Sequence, residues 1–379
     1  MQRIEHSLLS PSLGSQKTLV AFHFGTPGAR PKVYIQASLH AEELPGMLVA
    51  HHLRERLTAA DQAGLLRGEV VLVPVANPIG LSQRLDHRAM GRFEFDTAQN
   101  FNRHYPDMAE AVLGEARTRL GPDAQANVAT VRRLVGAWLE QWQPASELDS
   151  LRRQLLLLAH DADLVLDLHC DNDAVIHLYS EEACWPPLEP LARLLGCQAV
   201  LLARESGGGP FDERLSGLWW QLAAALRAAG VNAPLSQGCA SATVELRGEG
   251  DVSHDLARQD AQAIVAFLAH AGALAASGPP PLPPMACKPT PLAGSQTLRS
   301  PVPGVLVFLV RPGNVVNVGD VVAEVIDPTA ADLARVHEVR AEVAGVLYAT
   351  VRERYVVSGG EVGKIAGATP FRSGDLLGA

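Results

Sequence analysis

The chain has 379 residues, a formal charge of −9 and 47% hydrophobic residues, which is ordinary globular material long enough for one or two cores. No Lys/Arg block is dense enough to track a phosphate backbone, and no apolar run reaches the ~18 residues of a membrane span, so neither nucleic acid nor a membrane is an expected partner. The five cysteines form no C-x-x-C pair, which argues against a disulfide framework and against a thiolate metal site.

The opening residues MQRIEHSLLSPSLG lack the basic, apolar and small-residue regions of a signal peptide, so a cytoplasmic location is expected. From residue 32 onward, apolar runs suited to strands alternate with Leu/Ala-rich runs of helical period. The strand runs are 32–37, 69–75, 164–168, 175–179, 199–202 and 242–246; the helical runs are 44–60, 126–143, 149–162, 217–230 and 254–272. This alternation predicts an α/β fold, a mixed β-sheet flanked by helices on both faces, over a first domain at 1–277. Residues 278–294, GPPPLPPMACKPTPLAG, read as a linker, because prolines lack backbone donors and favour polyproline II. Residues 295–379 read as a smaller all-β barrel-sandwich domain with glycine turns. It holds a quasi-repeat: 300-SPVPGVLVF-308 is echoed by 341-AEVAGVLYA-349, and 316-VNVGDVVAEV-325 by 357-VSGGEVGKI-365. The first half is similar to half of a biotinyl/lipoyl-type domain. The hairpin 327–340 has no lysine to modify, so a swinging arm is not expected.

Ligands of open α/β sheets bind beyond the carboxyl ends of the strands. In 36-QASLHAEELPG-46, His40 and Glu43 stand three apart where a strand run gives way to a helix. Imidazole and carboxylate there suit one zinc ion, although H-x-x-E recurs often by chance and the plainer reading of the pair alone is a surface histidine with a glutamate favoured by the helix dipole. In 164-LVLDLHCDND-173, Asp167 and His169 share one strand face. A buried carboxylate so placed orients a metal-bound imidazole, or the two simply hydrogen-bond at a sheet edge. His40, Glu43 and His169 together make a His₂Glu set with an open fourth position, of the catalytic rather than the structural kind.

Glu245 interrupts the strand run of 241-SATVELRG-248. A lone carboxyl in an apolar strand is costly unless paired or functional. Beside zinc it serves as general base and then general acid; otherwise it pairs with Arg247 on the same face. In 99-QNFNRHYP-106, Asn102 and Arg103 suit capture of a carboxylate. Arg92 in 91-GRFEF-95 suits stabilisation of an oxyanion, with Arg84 and Arg88 as competitors. The glycine-rich run 206–217 reads as a mobile loop over the site, offering Phe211, Asp212 and Arg214 as specificity contacts, and His177 is a further candidate to face the pocket.

Taken in order, H-x-x-E, N-P, G-R-F, N-x-N-R, D-L-H and T-x-E-L-R resemble the succinylglutamate desuccinylase/aspartoacylase family, within the wider zinc carboxypeptidase (M14-like) superfamily. The residues are His40, Glu43, Asn77-Pro78, Gly91-Arg92-Phe93, Asn102-Arg103, Asp167-Leu168-His169 and Thr243 to Arg247, spanning roughly residues 30–270. The resemblance implies a zinc carboxypeptidase-like mixed sheet and one Zn²⁺ per chain on His40, Glu43 and His169. It also implies Glu245 as acid/base, Arg92 as the oxyanion arginine, Asn102 and Arg103 on the substrate's α-carboxylate, and a homo-oligomer. One departure is Asn100: related enzymes often have an aspartate there behind the first zinc histidine, whereas Asn100 accepts a hydrogen bond from His40 without charge. The expected activity is hydrolysis of the amide of a small N-acyl amino acid. A metallocarboxypeptidase-type peptide hydrolase is the alternative, and an inactive zinc-binding module a third reading.

Overall fold

The computed structural model describes all residues except 277, 279, 280, 333, 334, 378 and 379. The start of the expected linker and part of the lysine-free hairpin therefore lie outside the described residues.

The strands Lys32–Ala37 and Glu69–Val73 are buried along their whole length. Strands buried on both faces need helices on both sides, the signature of a parallel sheet interior. They pair in parallel, Leu164–Asp171 joins Lys32–Ala37 on its other side, and Ala240–Gly248 follows in parallel. Antiparallel pairings of Thr18–Phe24 with Glu69–Val73 and of His177–Ser180 with Ala240–Gly248 extend this set to a nine-stranded mixed sheet. Its order is Gln2–Ser7, Thr18–Phe24, Glu69–Val73, Lys32–Ala37, Leu164–Asp171, Ala240–Gly248, His177–Ser180, Ala199–Leu202 and Thr290–Pro291.

Helices Pro45–Gln62, Trp185–Leu195 and His254–His270 cover one face; Met108–Arg119, Ala124–Gln141, Glu147–Ala159 and Phe211–Ala228 cover the other. Asp107, Asp123, Ser146 and Ser253 each cap a helix by accepting a first-turn backbone N–H, worth about 1 kcal/mol apiece. Met108–Arg119 and Trp185–Leu195 were not among the helical runs of the sequence. The second has prolines in its first turn, where no N–H is needed, and Pro190 farther in, so its run looks like a loop. Among the described residues no helix is long and apolar enough to cross a membrane.

The C-terminal strands form two antiparallel sheets around a core that includes Leu306, Val322, Val325, Leu347, Val362 and Ile365. The quasi-repeat is visible in them: Gly304–Phe308 and Val321–Ile326 recur as Gly345–Thr350 and Glu361–Gly367. Each copy lends its short strand to the other. Val315–Val316 pairs with Gly345–Thr350, and Tyr355–Val356 pairs with Gly304–Phe308.

Two ladders join these sheets to the rest. Asp173–Ala174 pairs with Thr350 and Ala349, and Thr290–Pro291 pairs with Leu201 and Leu202. The Pro-rich segment thus supplies the last strand of the main sheet, at an edge where a missing donor does no harm. Ion pairs Lys364–Asp171 (2.9 Å) and Arg352–Glu249 (2.7 Å) span the same joint.

Candidate active site

Neighbouring parallel strands bring their carboxyl ends to one point. Their register sets Gln36 beside Asp167, and Glu245 beside His169. Beyond Ala37 the chain turns through Ser38, at φ 60, into the segment carrying His40 and Glu43. Ser38 Oγ donates to the Glu43 carbonyl at 2.9 Å, and Asn77 Nδ2 donates to the Leu39 carbonyl at 2.8 Å. Asn77 Oδ1 meanwhile accepts the Gly80 N–H, so the N-P pair fastens a helical turn to the His40 loop. Gly91 completes the fastening. Its carbonyl accepts from Ala41 N at 3.0 Å, and a Cβ there would stand 2.6 Å from Glu42 N, so only glycine lets Arg92 come this close.

His40 Nδ1 lies 2.9 Å from Glu43 Oε1, and His169 Nδ1 lies 2.8 Å from Glu43 Oε2. Donor atoms of the three buried residues all lie within 4.8 Å of one another; among the described residues no other His/Cys/Asp/Glu group gathers this way. Behind them, His40 Nε2 donates to Asn100 Oδ1 at 2.8 Å. His169 Nε2 is 3.1 Å from Asp167 Oδ2, close but off-line, so neither atom has an aligned hydrogen bond. Asp167 Oδ1 accepts from Gln36 Nε2 at 3.0 Å, and Gln36 Oε1 accepts from Tyr34 at 2.9 Å. In the neutral tautomers with Nε2–H turned toward these oxygens, as a bound cation requires, both Nδ1 lone pairs point to the place where the Glu43 carboxylate also points. Two imidazoles and a carboxylate meeting at one point fit a divalent metal ion, and this site could hold one.

The charges respond to one another. Burial, then Arg92, pushes His40 down to about 4. Burial also disfavours charge on His169, but Asp167 and Glu43 outweigh it and hold its proton above the usual range. Burial likewise opposes ionisation of Glu43, yet His169 and His40 keep its pKa well below the ordinary one.

Glu245 is half-buried in the strand, its Oε2 is buried without a partner among the described residues, and burial followed by the Glu43 charge pushes it up to about 8. It does not pair with Arg247. A register shift follows Glu245, Arg247 sits at φ 65, and its guanidinium binds Asp260 at 2.8 and 3.0 Å. The expected alternation of faces fails because of this irregularity.

Arg92 Nη2 is 2.9 Å from Glu43 Oε1, whereas Arg84 and Arg88 are exposed on a small hairpin outside the cavity. Asn102 Oδ1 accepts the Phe211 N–H at 2.9 Å, which leaves the amide nitrogen as its donor toward the cavity. Arg103 donates to the Asn102 carbonyl at 2.8 Å and packs on Gly208, where a Cβ would be 2.6 Å from Arg103 Cδ. Both residues line one cavity of about 280 Å³ together with His40, Glu43, Arg92, His169 and Glu245.

Several placements differ from the sequence reading. The glycine-rich run is not a long mobile loop: the helix begins at Phe211, and the loop before it is held by His104 N on Gly208 O (2.8 Å). Phe211 is a core residue against Tyr34 and Tyr105, Arg214 turns to the Tyr105 carbonyl, and Asp212 alone of the three reaches the cavity. His177 is buried outside the cavity, against Tyr179 and Tyr348. The opposite wall comes from the C-terminal strands and tail, with Thr297, Tyr348, Lys364 and Arg372. No motif marks these four, and their signal is spatial only.

The model of the succinylglutamate desuccinylase/aspartoacylase catalytic domain matches residues 29–271. A succinylglutamate desuccinylase/aspartoacylase family protein from Shewanella amazonensis SB2B is 26% identical, with a TM-score of 0.83 over 97% of this chain and 98% of that one. A second, from Shewanella frigidimarina NCIMB 400, is 22% identical with a TM-score of 0.83, covering 97% of each chain. The product-bound ectoine utilization protein EutE (DoeB) from Ruegeria pomeroyi is 19% identical, with a TM-score of 0.64 over 97% of this chain and 94% of that one. The latter two show a shared fold. Among curated proteins none matches.

Proposed function

The chain belongs to the succinylglutamate desuccinylase/aspartoacylase family, and from that premise we propose that it is a cytoplasmic zinc-dependent hydrolase removing the acyl group from a small N-acyl amino acid. The observation that carries this reading is the meeting of two Nδ1 atoms and one carboxylate within 4.8 Å, with the unpaired Glu245 carboxyl one strand away.

His40, Glu43 and His169 would hold the zinc, which when bound supplies an acidified water and a polarised carbonyl. Glu245 takes the proton of the attacking water and returns it to the leaving amine. Arg92 supports the negative charge that grows on the carbonyl oxygen. Asn102 and Arg103 hold the α-carboxylate, which fixes the amide relative to Glu245. Asn100 and Asp167 keep the two imidazoles aimed from behind.

A cavity of about 280 Å³ favours a small metabolite over a peptide chain. In this reading residues 1–277 are the catalytic domain, 278–294 the linker, and 295–379 a β domain that completes the wall. The test is amine release from N-acetyl and N-succinyl amino acids and from short peptides by zinc-loaded protein, with Glu245→Gln as blank. Release from N-acyl amino acids is expected; release from peptide C-termini alone would replace the proposal with a carboxypeptidase.

A further inference from the structure

Tyr34 and Gln36 stand two apart on the strand Lys32–Ala37 and so share a face, and the register sets Gln36 beside Asp167, two residues before His169. Tyr34, Gln36 and Asp167 are all fully buried. Tyr34 donates to Gln36 Oε1 at 2.9 Å, and Gln36 Nε2 donates to Asp167 Oδ1 at 3.0 Å. That leaves Asp167 Oδ2 for the His169 side, 3.1 Å from Nε2.

The direction of this relay is set at its far end. Turned over, the Gln36 amide would aim its oxygen at the carboxylate and its nitrogen at the tyrosine oxygen. The Tyr34 O–H would then be buried without an acceptor among the described residues, and two acceptors would face each other at Asp167. The Tyr34 hydroxyl therefore selects the orientation of the amide. Its ring is held in turn by Phe211 at 5.8 Å, and the Phe211 N–H is taken by Asn102 Oδ1 at 2.9 Å. A buried relay whose internal links are all made is stiff, because each break leaves a polar group unpaired away from water.

We propose that Tyr34 and Gln36 are positioning residues for the metal site: acting in series, they hold the Asp167 carboxylate behind His169 and so set how tightly the site binds a divalent cation. This deepens the zinc reading above and rests on it, so its test is a binding measurement that needs no turnover.

The experiment is zinc affinity by chelator competition at fixed pH, with melting temperature as the folding control. Tyr34→Phe keeps the ring and removes only the hydroxyl; affinity should fall about 3- to 10-fold. Gln36→Met should lower it about 10-fold or more. Action in series demands that Tyr34→Phe change affinity less than about 2-fold in a Gln36→Met or an Asp167→Ala background. Tyr105→Phe is the control. It removes another buried hydroxyl whose ring packs on Phe211 (5.3 Å) but which has no partner among the described residues, and zinc affinity should stay unchanged. Unchanged affinity in either Tyr34→Phe or Gln36→Met overturns the proposal. So does a loss that adds in full on Asp167→Ala, or one that Tyr105→Phe matches. If no amide is hydrolysed but the coupling holds, the deacylase reading falls and the relay stands; if the wild-type protein binds no zinc, both fall.

Discussion

His40 and Asn100 meet through a single atom: the amide Oδ1 lies 2.8 Å from the imidazole Nε2 and also 2.8 Å from the backbone nitrogen of Asn102. One acceptor therefore aligns both a histidine of the candidate metal site and the segment that presents Asn102 and Arg103. The other end of the amide, Nδ2, is buried without a partner among the described residues. An amide lends His40 no charge, so the imidazole is a weaker donor than one backed by a carboxylate.

Asn100→Asp keeps the acceptor and adds the charge. Zinc affinity should rise about 10-fold, read by competition with a chelator at fixed pH. Unchanged or weaker binding would show that His40 basicity does not limit the site.

His40→Ala and His169→Ala each remove one of the two Nδ1 donors. Bound zinc should fall from about one per chain to near zero by elemental analysis. Full occupancy in either variant would move the metal elsewhere.

Glu245→Gln preserves the shape of the strand and removes the titrating oxygen. Zinc should be retained while turnover drops about 10²- to 10⁴-fold. Near-normal turnover would assign the proton transfer to another group.

Gly208→Ala places a methyl 2.6 Å from Arg103 Cδ at a backbone φ of +70, so Arg103 must shift. The expected result is a KM raised about 10-fold or more, with zinc content unchanged and kcat less affected. A normal KM would remove Arg103 from substrate binding.

His177 makes stability pH-dependent. Burial pushes it down to about 4 from the ordinary 6.5, and among the described residues its one hydrogen bond is from Nδ1 to the Val175 carbonyl. Below pH 6.5 the unfolded chain takes up a proton that the folded chain refuses, so stability is lost as pH falls from about 6.5 toward 4. Between pH 7.5 and 4.5 this contribution is on the order of 2 kcal/mol. His177→Phe should remove that part of the slope in urea titrations. An unaltered slope would contradict the assignment.

The central strands and most helices were legible because burial on both faces writes itself as long apolar runs, as in 32–37 and 164–168. Trp185–Leu195 was not, since its prolines give a loop signal that only the packed helix overrides. The nominal partner of Glu245 was misread for a local reason: alternation assumes a regular strand, and the bulge at Arg247 sends that side chain to Asp260. Phe211 was read as a loop contact because three glycines precede it, although it opens a helix and fills the core. The chemistry at the strand ends was readable because a polar residue in an apolar run stands out. Thr297, Lys364 and Arg372 lie in unremarkable polar sequence and come to the cavity only through the joint between the two sheet systems.

That joint also bears on motion. To swing away from the site, the C-terminal strands would have to break the backbone ladder at Asp173–Ala174 and the Lys364–Asp171 and Arg352–Glu249 pairs together. A wall fastened in three places is not a hinged lid. The far wall of the cavity is thus built into the fold by backbone pairing and an ion pair and is part of the same framework that carries His40 and His169.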